Sequence, residues 1–219
     1  MNLSRQTGII APDILKNAEV VTLIGVGGIG SPLVLTLAKM GIPKFVLIDP
    51  DTVEDYNIPN QLFRLSDIGR PKVIAAKEVI EAFTGAEVVA IQEKFDGSQK
   101  LEGIVISGVD WMTVRKMIWE SLRFNPLVPL YVEGRMASEL LRIYTLNPTD
   151  PNAVTAYEAT LYSDEEAQQA PCTAKSIIYT VMVSAGLMAG QVKKWLVGEP
   201  YSFEILMEMK SLTLMPGEL

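Results

Sequence analysis

The chain has 219 residues, 48% of them hydrophobic, and sets 19 Lys and Arg against 26 Asp and Glu for a net charge of −7. That is enough apolar material for one compact α/β domain, while an acidic chain without a basic run is a poor neutraliser of phosphate backbones, which excludes general nucleic-acid binding. The lack of histidine and the lone Cys172 exclude a disulfide framework and any histidine general base, and argue against zinc.

The first residues have no charged-then-apolar signal pattern. Residues 20–24 form a continuous apolar run, as in a buried parallel strand, and end in a glycine loop. Residues 31–40 read as a helix with Pro32 in its first turn and Gly41 at its end. A second buried strand is expected at 45–49, a helix at 71–84, and strands at 87–91 and 104–107. A helix over about 113–123 and a fifth strand at 128–132 complete an alternating pattern. Such alternation implies a Rossmann-like, mostly parallel sheet with right-handed crossovers and helices on both faces. Residues 140–146 alternate like a sheet-edge strand, 148–171 are polar and poorly periodic, a long apolar helix follows over about 173–196, and a strand at 203–209 closes the antiparallel end. The longest uncharged apolar stretch, 176–192, is interrupted by Ser184, Gly186, Gly190 and Gln191. It falls short of the roughly 20 residues of a membrane span and reads as a buried helix of a cytoplasmic protein. A structureless stretch as long as 148–171 is usually functional or disordered, and it is expected to cross over the active site.

The loop Gly25-Val26-Gly27-Gly28-Ile29-Gly30 between strand and helix is an anion-binding device, because backbone N–H groups and a helix N-terminus converge on phosphate. Asp49 ends the next strand, where an acid commonly accepts ribose hydroxyls. Taken alone, this suits NAD as well as ATP. The dense polar segment after it, from Asp49 and Asp51 through Asn57, Asn60, Gln61 and Arg64 to Lys72 at a helix start, suits a triphosphate better, since Lys72 can neutralise phosphate.

The ordered set G-x-G-G-x-G-S, D-x-D, N-x-x-x-Q and G-x-x-K resembles the ThiF/MoeB/HesA superfamily, which includes ubiquitin-activating enzymes, over about the first half of the chain. The resemblance implies one adenylation domain over 1–219, with a nucleotide-binding half at 1–135 and a carrier-binding half at 136–219 whose crossover loop is 148–171. It places Gly28 at phosphate, Asp49 at ribose, and Asn57, Gln61 and Lys72 in the nucleotide site. The family usually has arginine where this chain has Asn60. Arg64 either substitutes or is a solvated surface residue.

The resemblance also assigns Asp110, just past a buried strand, to Mg²⁺ between ATP phosphates; the alternative is an N-cap for the next helix. Ser4-Arg5-Gln6 resembles a motif whose arginine reaches across a homodimer into the neighbouring site, although such a residue is ordinarily just solvated. Pro171-Cys172-Thr173-Ala174-Lys175 resembles the segment around the catalytic cysteine of ubiquitin-activating enzymes. At a helix start beside Lys175 the thiol of Cys172 would be a nucleophile; otherwise it is a small buried hydrophobe. The zinc-binding C-x-x-C pairs of the family are missing.

The implied activity is Mg-ATP-dependent adenylation of the C-terminus of a small ubiquitin-like or sulfur-carrier protein by a homodimer. A carboxylate of pKa near 3.3–3.7 is already ionised, so attack on the α-phosphorus needs no histidine. Adenylation of a non-protein carboxylate, a dinucleotide-dependent oxidoreductase, and a catalytically reduced scaffold subunit, favoured by Asn60, are the alternatives.

Overall fold

A computed structural model describes residues 1–168 and 177–219, the side chains of residues 167 and 168 excepted. Cys172 and Lys175 therefore lie outside the described residues. The apolar runs do form strands: β1 (Val21–Ile24), β2 (Lys44–Ile48), β3 (Glu87–Ile91), β4 (Ile104–Ser107) and β5 (Leu130–Ala137). These five are parallel, in the order β3-β2-β1-β4-β5. The sheet continues antiparallel through β6 (Leu140–Leu146), β7 (Glu204–Glu208) and β8 (Thr213–Gly217).

Helices cover both faces. The side chains of each strand alternate between them: Ile104 and Ile106 of β4 join one core and Val105 the other. The first core contains apolar residues of α2 (Gly30–Met40), α3 (Lys72–Thr84) and α7 (Ile178–Leu196). The second takes Ile118, Trp119 and Leu122 of α4 (Met112–Leu122) and Ala153, Val154 and Tyr157 of α5 (Pro151–Glu158). Short helices α1 (Pro12–Lys16) and α6 (Asp164–Gln168) complete the described set. Among the described residues, no helix is long and apolar enough to cross a membrane.

Three sequence expectations change. The stretch from 148 is not featureless, because α5 and α6 occupy 151–158 and 164–168. Asp150 caps α5 by accepting the Asn152 amide, with Pro151 preset at the first helical position. Residues 140–146 are not an edge strand, since β6 pairs with both β5 and β7. The edge is β8, an exposed strand that carries Pro216 and has no readable alternation.

Strand order reverses direction between β1 and β4: from β1 the chain moves outward to β2 and β3, then returns to the other side of β1. Open α/β sheets bind ligands in the crevice at the carboxyl ends of such a pair. The glycine loop follows β1 and Asp110 follows β4, so the fold brings the two together there.

Candidate functional site

Gly25 has φ 90°, and a Cβ on it would sit 2.9 Å from the Gly108 carbonyl oxygen. A Cβ on Gly30 would come within 2.0 Å of the Gly25 carbonyl oxygen. A side chain at Gly25 would force the β1 and β4 loops apart, and one at Gly30 would push the start of α2 away from the glycine loop. α2 then starts without a side-chain cap, and among the described residues the amides of Gly27, Gly28, Ile29 and Gly30 have no backbone partner. Gly27 is open on its Cα side, where a Cβ would meet nothing nearer than Gln61 Nε2 at 3.9 Å. Uncapped first-turn amides behind an open glycine surface form a cradle for an anion.

Asp49 is buried beside this loop and organises it. Its carboxylate accepts the Val26 amide at 2.6 Å and the Asp51 amide at 2.9 Å. Burial pushes its pKa up, against the pull of the Asp51 amide and of Lys72. Each oxygen keeps a further lone pair for a ligand hydroxyl.

Residues 51–53 and 69–72 pair as a short ladder, with the Val53 amide donating to Arg70 O (2.8 Å), the Gly69 amide to Val53 O (2.8 Å) and the Lys72 amide to Asp51 O (3.0 Å). That pairing sets Lys72 at the start of α3 with its Nζ 2.8 Å from Asp51 Oδ2. Lys72 is buried and Asp51 exposed. Lys72 thus pairs with the exposed Asp51 and pulls more distantly on the buried Asp49, a buried ammonium placed to meet a further anion.

The polar loop is pinned over the cradle by the Leu62 amide, which donates to Ser31 Oγ at 3.0 Å. Asn57 is buried, and its Oδ1 accepts the Glu54 amide at 2.9 Å, so this side chain shapes the loop. Gln61 Oε1 is enclosed without a hydrogen-bond partner among the described residues, an acceptor suited to a ligand donor. Asn60 lies between them, partly buried. Arg64 is committed elsewhere: its Nε and Nη2 donate to Asp67 at 2.9 and 2.8 Å, and Nη2 reaches Glu78 at 3.4 Å.

Asp67 is fully enclosed and also accepts Arg70 Nη1 at 3.0 Å. The Arg64 side chain, above all, holds its carboxyl below the ordinary range. A folded-state pKa below the unfolded one gives stability that is present above the unfolded value and lost as pH falls through the folded one. Asp67→Asn should therefore cost about 1.5–3 kcal/mol at neutral pH, with the gap to wild type closing below about pH 4. Denaturant unfolding across pH checks this; a gap that persists at low pH would contradict it.

Asp110 is exposed, and among the described residues its carboxylate makes no hydrogen bond or ion pair. It is not the cap of α4, the alternative read from sequence. That helix begins after Trp111, and its Met112 and Thr113 amides donate to Asp164. No group of three or more His, Cys, Asp or Glu placed to hold a metal ion occurs among the described residues. A lone hard-oxygen ligand beside a phosphate cradle fits Mg²⁺, which takes one or two carboxylates and completes its shell with phosphates and water.

Sequence reasoning missed a buried polar network on the next strand. Glu133 is wholly buried; its Oε1 accepts Arg115 Nη1 at 2.6 Å and Arg135 Nε, and its Oε2 accepts the Tyr157 hydroxyl and, at 3.2 Å, that of Tyr131. Burial, reinforced by the Glu133 charge, pushes the pKa of Tyr131 well up and keeps it a donor. Arg115 also donates to the carbonyls of Gly134 (3.1 Å) and Val109, and Arg135 to Thr160 O at 2.8 Å. The only sequence signal is an acid in the middle of an otherwise buried run.

Arg5 sits in a 3-10 turn at Ser4–Gln6, where the Gln6 side-chain amide donates to Met40 O. That is the far end of α2 from Gly30, about 16 Å along the axis for its 11 residues. The structure brings together the glycine loop, Asp49, Asp51, Lys72, Gln61 and Asp110, and leaves Arg5 at the other end of the sheet.

Comparison with known proteins adds the lineage. The chain is 35% identical over 112 residues to the NEDD8-activating enzyme E1 catalytic subunit of Arabidopsis thaliana, covering 48% of this chain and 25% of that one. It is 36% identical over 92 residues to the adenylyltransferase and sulfurtransferase UBA4 of Candida albicans, covering 42% and 21%. The chain thus matches about a quarter, or less, of the length of these relatives. A crystal structure of E. coli MccB with succinimide shares the fold, with a TM-score of 0.75 and 22% identity over 95% of this chain and 66% of that one. Residues 3–215 match the ThiF family, and the chain belongs to it.

Proposed function

We propose that this chain is an ATP-dependent adenylyltransferase that activates the C-terminal carboxylate of a small ubiquitin-like or sulfur-carrier protein. One observation carries the reading: an uncapped glycine cradle, the buried Asp49, the Lys72–Asp51 pair and an Asp110 without a partner among the described residues meet at the β1/β4 crevice. A dinucleotide oxidoreductase gives no use to a buried lysine beside the cradle. Both relatives named above are activating or adenylylating proteins by name, which supports the same chemistry here.

In the proposed reaction a carrier carboxylate oxygen bonds to the α-phosphorus of ATP, the bond from that phosphorus to the bridging oxygen breaks, and pyrophosphate leaves with the electron pair. The first-turn amides of α2 hold phosphate oxygens, Lys72 offsets their charge, and Asp49 receives the ribose. Asp110 would hold Mg²⁺, and that ion would supply positive charge against the phosphates. No proton has to be moved, so the missing histidine costs nothing. In a subsequent step the thiolate of Cys172, its proton given to solvent, would bond to the acyl carbon as the bond from that carbon to the AMP oxygen breaks and AMP leaves; Cys172 lies outside the described residues.

The position of Arg5 supports a homodimer in which it serves the partner's site. Its own cradle is at the other end of α2. Mixing Arg5→Ala with Lys72→Met protomers tests this by complementation. Each variant alone should be inactive in carrier-dependent pyrophosphate exchange, and an equal mixture should recover about a quarter of wild-type activity, since half the dimers carry one intact site. No recovery after verified subunit exchange would rule out action in trans.

A further inference from the structure

The turn that carries Asp110 is clamped on both sides by groups from elsewhere in the fold. Before it, the Val109 carbonyl accepts Arg115 Nη2, and Arg115 is itself fixed by Glu133 at 2.6 Å. After it, Asp164 Oδ1 accepts the Met112 amide at 2.6 Å, and Oδ2 accepts the Thr113 amide at 3.1 Å together with the Thr113 hydroxyl. Helix α4 has no side-chain cap of its own; Asp164, the first residue of α6, supplies one from 52 positions downstream of Met112. The segment bearing Asp164 is tied to β5 by Thr160, which accepts from Arg135, and by Tyr157, which donates to Glu133.

We propose that Asp164 is a positioning residue for Asp110: by capping α4 from the crossover segment it holds the 109–112 turn, and with it the metal-binding carboxylate, in one place. This rests on the reading that Asp110 holds Mg²⁺. The Arg115 side of the clamp is buried and would be hard to remove without unfolding, whereas Asp164 is only partly buried and can be changed. The crossover segment and the metal ligand are thereby coupled, so a carrier tail that shifts 157–164 would alter metal binding at Asp110.

The test is calorimetric titration of Mg·ATP, and of ATP with chelator, into wild type, Asp164→Ala, Asp164→Asn and the neighbouring control Glu165→Ala, with hydrogen exchange read at Met112 and Thr113. Asp164→Ala should lose protection at both amides and bind Mg·ATP about tenfold more weakly, the value of one lost cap. Its affinity for metal-free ATP should be unchanged. Asp164→Asn, which keeps one acceptor oxygen, should recover most of the affinity, and Glu165→Ala should match wild type. Loss of protection with Mg·ATP binding intact would make the cap purely structural and overturn the proposal alone. Retained protection in Asp164→Ala would overturn it too. If wild type bound no Mg·ATP, the reading of Asp110 would fall and take the proposal with it. Should Asp164→Ala not fold, Asp164→Asn takes its place: both amides deprotected with metal-dependent affinity equal to wild type would count against the proposal.

Discussion

Replacing Lys72 with methionine should lower carrier-dependent pyrophosphate exchange by about 10²–10³-fold, the usual cost of removing one preorganised charge-stabilising group. The expectation follows from the burial of the ammonium, whose one ion pair among the described residues is to an exposed carboxylate 2.8 Å away. Methionine keeps the length of the side chain and adds no polar group to a buried position. Asp51, left alone, is 62% exposed and can be hydrated, so stability should change little. The loss should therefore fall on turnover and nucleotide affinity with the melting temperature nearly constant. A variant that unfolds would instead make Lys72 a structural residue, and one with wild-type exchange would remove it from the site.

Glu133→Ala should be the most destabilising single change among the residues discussed, by about 3–5 kcal/mol, as when one partner of a buried ion pair is deleted. Glu133 has 0% side-chain exposure, and both Arg115 and Arg135, themselves nearly buried, direct guanidinium groups at it. Without the carboxylate those charges would be left in a low-dielectric interior beside Tyr131, Tyr144 and Tyr157. For a domain of this size the melting temperature should fall by roughly 6–20 °C. Glu133→Gln, which retains acceptor oxygen but not charge, should fall between wild type and alanine. A thermal melt within about 2 °C of wild type for the alanine variant would contradict the account of this network.

The parallel half of the fold is legible because buried strands leave continuous apolar runs and the glycine loop punctuates the first of them. β1, β2, β3 and β4 fall within a residue or so of their expected bounds, and α2 and α3 within one residue at the start. Asp49, Lys72 and Asp110 can be named because strand ends and helix starts carry ligand-facing residues in this architecture. What cannot be read is whatever depends on residues distant in sequence. Glu133 looks like a strand interior residue, and two of its partners, Arg115 and Tyr157, are 18 and 24 positions away. Asp164 lies in a stretch without clear periodicity, although the Asp150-Pro151 start and the apolar spacing of Ala153, Val154 and Tyr157 are signals for α5. Arg64 looks like a stand-in for an absent phosphate cation because sequence gives no view of Asp67 folding back onto its guanidinium.

The central claim is carboxylate adenylation at the β1/β4 crevice, and the exchange of labelled pyrophosphate into ATP tests it most directly. Small glycine-ending carrier proteins should be tried in turn, each with its C-terminus free and with it amidated. The account predicts exchange that requires Mg²⁺ and a free carrier carboxylate and disappears in Lys72→Met. No exchange with any candidate carrier, accompanied by tight binding of NAD in place of ATP, would contradict it.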